Sequence, residues 1–249
     1  MSFFPSFKVE GELIPRILLG TSPFLGAGQF GVRAYQYYKH FFKNPRNITD
    51  LMIEAIYFGI RGIQLVAYRE VVEAVRRAQS ETGAELVIVG SLPFDRPKEG
   101  LDYLSSLPTK IVLLHGEETD KLNFKTLESW FGRIRDLGFI PGVATHKPDR
   151  TLPKLLEHKL DFQVVLLPFN AIGFMMGEKE KVLDIVARSE KAFIAMKPLA
   201  AGRLKPDEAL KYVFSCKGID SAAIGVANVE EVKETFSIAK NILNKQSTI

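Results

Sequence analysis

Two histidines stand where short apolar runs stop: His115 in "KIVLLHGEETD" and His146 in "GFIPGVATHKP". Imidazole titrates near neutrality, so each can give or take a proton, or bind a metal through a neutral ring nitrogen. Glu117 follows His115 by two residues, and the three together could ligate a divalent cation, although no HxH or HExxH spacing is present. Tyr68, in "QLVAYRE", is a candidate proton donor, with Glu70 to orient it. The alternative is structural: histidines that hydrogen-bond within a rim, and a tyrosine that packs with its hydroxyl in water. Asn170, in "LLPFNAIG", can hydrogen-bond a ligand amide or stabilise its own turn.

A different chemistry is written into "FIAMKPLAAGRL", residues 193–204. An apolar run ends at Met196, and Lys197, Pro198, Leu199 and a small-residue turn, Ala200-Ala201-Gly202, follow before Leu204. Small residues let a ligand approach the backbone, and Lys197 adds positive charge, so a phosphate is the expected guest. "IGVANVEEVKET" has a second small turn, Gly225-Val226-Ala227, with Asn228 placed to cap a helix. Glu230 and Glu231 suit the first turn of that helix but would repel a phosphate held beside them.

These residues need a frame. Near-continuous apolar runs occur at 14–20, 59–66, 84–90, 110–115, 138–145, 162–168, 192–198 and 220–226. Such runs are typical of strands buried on both faces of a parallel sheet. Helical patterns lie between them: "ITDLMIEAIYF" with Thr49-Asp50 as its cap, "EVVEAVRRAQSETG" stopping at Gly83, "TLESWFGRIRDLG" stopping at Gly138, "EKVLDIVARSEK" and "NVEEVKETFSIAKNIL". Eight strand–helix alternations in 249 residues predict one (β/α)8 barrel domain, whose chemistry sits on the loops after the strands. A doubly wound open sheet is the alternative, but no GxGxxG turn follows the first strand. An aromatic-rich insertion, "GAGQFGVRAYQYYKHFFKN", follows that strand. Its segment 35–42 reads as an amphipathic helix packed on the barrel rim, or as a lid or contact surface.

Composition narrows the classes. Hydrophobic residues are 46% and charged residues 25%, which is globular. The formal net charge of +4 favours an anionic small molecule and is too small and dispersed to argue for nucleic acid. Cys216 is the only cysteine, so neither an intrachain disulfide nor a cysteine-built zinc site is available, and a reduced, cytoplasmic setting is expected. No signal peptide and no membrane-spanning run are read in the chain.

Taken together, "KPLAAGRL", "IGVANVEEVKE", "LLHGEETD", "GFIPGVATHKP", "LLPFNA" and "IPRILLGTSPFLGAGQFG" resemble successive strand–loop units of the aldo-keto reductases. The resemblance implies a barrel that binds NADP or NAD and reduces carbonyls. It implies His115 and Tyr68 as catalytic residues. It implies cofactor contacts from Thr145, His146, Asn170, Met196, Lys197, Pro198, Leu199, Gly202, Leu204, Gly225, Val226, Ala227, Asn228 and Glu231. It also implies two losses: the family's catalytic Asp falls on Gln64 and its Lys on Ser91, and the basic residues that recognise the adenosine 2′-phosphate are missing. The expectation is therefore a divergent reductase with impaired or altered chemistry. The alternatives are a barrel enzyme acting on a phosphorylated small molecule through His115, His146 and Glu117, and a non-catalytic barrel used for binding.

Overall fold

The computed structural model describes residues 4–246. The chain opens with a hairpin, β1 (Ser6–Val9) and β2 (Glu12–Pro15), turned at Glu10-Gly11, where both residues have positive φ. Eight parallel strands then close a barrel: β3 (Ile17–Gly20), β4 (Gly62–Val66), β5 (Val87–Ser91), β6 (Thr109–Leu114), β7 (Ile140–Ala144), β8 (Val164–Pro168), β9 (Ala192–Met196) and β10 (Ile219–Gly225). β10 pairs with β3 to seal it. Each predicted apolar run overlaps one barrel strand, with Ser91, Thr109 and Ile219 falling just outside their runs and Ile14 and Pro15 belonging to the hairpin.

The strands are buried on both faces, which is why they read as continuous apolar runs rather than alternating ones. Inside, Leu18, Val89, Ile111, Leu113, Val164, Leu166 and Ile194 fill the barrel, and Ile14 of the hairpin joins them. The hairpin thus plugs the N-terminal end. Pro15 accepts a hydrogen bond from Ser221 Oγ at 2.9 Å, and Lys110 pairs with Glu12 at 3.0 Å. Outside, the strands bury a larger apolar layer against the helices.

The helices are α1 (Arg33–Tyr37), continuing as a π-turn over Tyr38–Phe42, then α2 (Pro45–Phe58), α3 (Arg69–Thr82), α4 (Pro97–Ser105), α5 (Gly116–Thr119), α6 (Phe124–Asp136), α7 (Pro148–Glu157), α8 (Lys179–Arg188), α9 (Pro206–Ser215) and α10 (Val229–Gln246). Gly83 and Gly138 take the left-handed conformation expected where α3 and α6 stop. Thr49-Asp50 is not a cap. α2 starts at Pro45, where a rigid φ suits the first turn, and Thr49 lies inside it, its hydroxyl bonded to the Pro45 carbonyl. Among the described residues no helix is long and apolar enough to cross a membrane.

Candidate functional site

A cleft of about 290 Å3 opens at the C-terminal end of the barrel. It is walled by Gly20 at the end of β3, Gln64 of β4, Met196 at the end of β9 and Lys197 to Leu199 after it, and Ala223 and Gly225 of β10. It continues past Ala201, Gly202 and Leu204 to Ala227 and the first turns of α10, where Glu231, Glu234 and Thr235 line it. The insertion after β3 forms the remaining wall through Gln29, Phe30, Arg33 and Tyr37.

That insertion is held in two ways. Phe41 is buried beneath it, its ring 5.0 Å from Phe24, and Tyr38 stacks on Phe42 at 5.3 Å, so the aromatic segment packs on the rim as one expected reading had it. Arg33 then reaches across the cleft, its Nη2 donating to the Ala201 carbonyl at 2.8 Å. Gly26 makes the crossing possible: a Cβ there would lie 2.5 Å from the Ala34 carbonyl oxygen. Arg33 was not recognised as a site residue in the sequence, because its partner is a backbone carbonyl 168 residues away.

The small residues after β9 answer to backbone conformation. Ala200, Ala201 and Gly202 all have positive φ, where large side chains clash, and Lys197 is left-handed as well at φ +56°. Three of the amides expected to cradle a phosphate are spent inside the turn. Ala200 N–H donates to the Lys197 carbonyl, and the Gly202 and Leu204 N–H groups donate to that of Leu199. The Ala227 amide is taken as well. Asn228 Oδ1 accepts from Glu231 N–H at 2.8 Å, while the Glu231 carboxylate accepts from Ala227 N–H at 2.8 Å, forming a reciprocal cap on α10. The basic side chains in the cleft lining are Arg33 and Lys197. Pro198 lines the cleft although it is buried, and Val226 is buried behind the lining.

At the barrel centre, the positions of the resemblance's charged pair are coupled but neutral. Gln64 is buried, and its Nε2 donates to Ser91 Oγ at 3.1 Å and to the Leu65 carbonyl at 3.2 Å. His115 and His146 do meet, with ring centroids 5.6 Å apart and planes at 75°. Gly116 leaves room for this, since a Cβ would stand 2.8 Å from His146 Cδ2. His115 Nδ1 accepts from Glu117 N–H at 3.1 Å, so the neutral ring carries its proton on Nε2. Burial lowers the His115 pKa and pushes that of His146 down to about 4, with the charge of Lys197 adding to the effect on both. His146 Nδ1 is buried with no hydrogen-bond partner among the described residues, as is Thr21 Oγ1 beside the lining residue Gly20.

Three expected site residues are held by the fold itself. Thr145 is fully buried and its hydroxyl donates to Asp120. Asp120 also accepts from His146 N–H at 2.9 Å and Thr151 Oγ1 at 2.7 Å, so one carboxylate ties α5 to the loop after β7 and to α7. Asn170 stabilises its own turn: Nδ2 donates to the Phe174 carbonyl at 2.9 Å, and Oδ1 accepts from Phe174 N–H at 2.8 Å. Tyr68 sits at the start of α3, outside the cleft lining, and its hydroxyl donates to Asp95 at 3.2 Å. Burial, reinforced by Asp95, raises its pKa to about 12. The cation triad is not assembled. Glu117 is exposed, and among the described residues no group of three His, Cys, Asp or Glu side chains could hold a metal ion.

No protein-family model and no curated protein matches this sequence. Solved structures do match its fold. A Pseudomonas aeruginosa protein described as an aldo-keto reductase superposes with a TM-score of 0.69 at 21% identity, over 94% of this chain and 92% of that one. An aldo-keto reductase from Brucella melitensis gives 0.69 at 15% identity, over 98% of both chains. A variant of Gox0644 in complex with NADPH gives 0.69 at 11% identity, over 95% and 88%. The chain thus has the single (β/α)8 barrel fold of aldo-keto reductases.

Proposed function

We propose that this protein is a divergent aldo-keto-reductase-like oxidoreductase that binds a nicotinamide dinucleotide, NADP or NAD, in the cleft between the insertion after β3 and the loops after β9 and β10. The observation that carries this is the shape of the cleft. It runs from Gln64, Met196 and Ala223 at the barrel mouth to Glu231, Glu234 and Thr235 on α10, and it gathers residues expected from the resemblance: Met196 to Leu199, Gly202, Leu204, Gly225, Ala227 and Glu231. An extended ligand fits this outline, with one end over the barrel mouth. Arg33 and Lys197 would hold its phosphates, and the carboxylates on α10 would meet its ribose hydroxyls. The similarity in fold to an NADPH-bound structure supports the same reading.

The bound dinucleotide would supply a hydride. The chain's own part is to orient a carbonyl and exclude water. His115, neutral and protonated on Nε2, would donate a hydrogen bond to the carbonyl oxygen. Tyr68, expected as the proton donor, has a pKa of about 12 and is bound to Asp95, so it is a weak acid there. Gln64 and Ser91 do not titrate near neutral pH, so neither supplies the charge that an Asp or Lys would. Loss of such acid–base assistance costs about 10²–10⁴ in rate, so the proposed reduction is slow. The test is dinucleotide oxidation followed by absorbance with a panel of aldehydes and ketones. Carbonyl-dependent oxidation that falls at least tenfold in His115→Ala supports the reading; oxidation by no carbonyl rejects the reductase assignment.

A further inference from the structure

Lys197 is only 9% exposed, yet among the described residues it forms no ion pair with a carboxylate. Among the described residues its Nζ hydrogen-bonds only to Met196 Sδ, at 3.5 Å. The side chain lines the cleft at the barrel mouth, on a residue whose backbone holds φ +56°. A non-glycine residue in that conformation persists only where its surroundings enforce it, and such residues cluster at functional sites. His115 and His146 are near enough for the charge of Lys197 to lower their pKa values, and Arg33, Glu231 and Glu234 line the same cleft as Lys197. A buried ammonium without a counter-ion is costly, so this environment shifts the balance toward the neutral amine.

We propose that Lys197 is a nucleophile that captures aldehydes or ketones entering the cleft as an imine. The neutral Nζ attacks the carbonyl carbon, and the oxygen takes a proton to give a carbinolamine. The nitrogen lone pair expels the hydroxyl as hydroxide while the C=N bond closes, and the remaining N–H proton of the iminium joins that hydroxide, so water leaves. Amine plus carbonyl gives imine plus water, with no oxidant or reductant. This activity goes beyond carbonyl reduction and needs no nucleotide, so the two readings fail separately.

Burial lowers the Lys197 pKa to about 8. At pH 7 about 10% of such an amine is neutral, against less than about 0.1% for an ordinary lysine. The experiment treats the full chain at pH 7 with glycolaldehyde and cyanoborohydride, which reduces an imine to a stable secondary amine, and maps the adducts by peptide mass spectrometry. Lys197 is expected to react about tenfold or more faster than exposed Lys121 and Lys211, and Lys197→Arg is expected to abolish the fast phase. A smaller ratio, or an unmodified Lys197, overturns the proposal. The wild-type map decides even if the variant does not fold.

Discussion

Gln64 Nε2 donates to Ser91 Oγ at 3.1 Å across neighbouring strands, a neutral bond where the resemblance implies a charged Asp–Lys pair. Both residues are buried, so restoring charge to either one alone would strand an ion in the barrel. Ser91→Ala leaves Gln64 with only the Leu65 carbonyl, and is expected to cost about 1 kcal/mol. Urea unfolding checks this: a midpoint lowered at constant slope fits, and an unchanged midpoint means that the bond contributes nothing.

Asp120 accepts three hydrogen bonds, from Thr145, His146 N–H and Thr151. Asp120→Ala orphans two hydroxyls and an amide in largely buried surroundings, and should cost about 2–4 kcal/mol. The same substitution frees His146, so the NMR signal of its ring should move with the loss of stability.

Lys197 should be a liability for folding. Its pKa of about 8 in the fold lies below the ordinary 10.5 because burial disfavours its charge. Between these values the unfolded chain holds more protons, so this group makes stability rise with pH through that window and imposes its full penalty below it. Lys197→Met should therefore raise stability at pH 7 by about 1–3 kcal/mol and flatten the profile from pH 8 to 10. A destabilised variant would show that the ammonium is better solvated than its burial implies.

His146 acts in the acid range. Its pKa of about 4 in the fold lies below the ordinary 6.5, so the unfolded chain takes up a proton first as pH falls. The stability from keeping this imidazole neutral is present above about pH 6.5 and declines toward pH 4. His146→Phe should show a shallower decline over that interval by thermal unfolding.

How much of this could be read from the residues alone depended on the range of the interactions. The barrel strands were legible because burial on both faces leaves continuous apolar runs such as "KIVLLH". The hairpin was not: its strands have four residues each, and Glu10-Gly11 was its one local signal. α4, α7 and α9 are short and each begins with proline, which can be read as a loop breaker as readily as a first helical residue. The cap on α10 was legible because Asn228 and Glu231 are three residues apart. The Asp120 ties and the Arg33 crossing were not, since each joins residues distant in sequence. The left-handed turn after β9 explains Ala200-Ala201-Gly202, which composition alone had attributed to a ligand.

Glu231 and Glu234 line the α10 end of the cleft. Carboxylates there can accept from a ribose 2′-hydroxyl and repel a 2′-phosphate. NADH should therefore bind at least about tenfold more tightly than NADPH, and Glu234→Lys should narrow or reverse the difference, as read by competition binding. Equal affinities would place the adenosine ribose elsewhere.

The central claim is dinucleotide binding in this cleft, and calorimetric titration of the wild-type protein with NADH and NADPH tests it most directly, repeated on Arg33→Ala. Arg33 is exposed and donates to the Ala201 carbonyl, so its removal should cost no more than about 1 kcal/mol of stability. At least one reduced dinucleotide is expected to bind at micromolar concentration, about tenfold or more weakly to Arg33→Ala. Absence of binding at millimolar nucleotide, or binding that ignores Arg33, would contradict it.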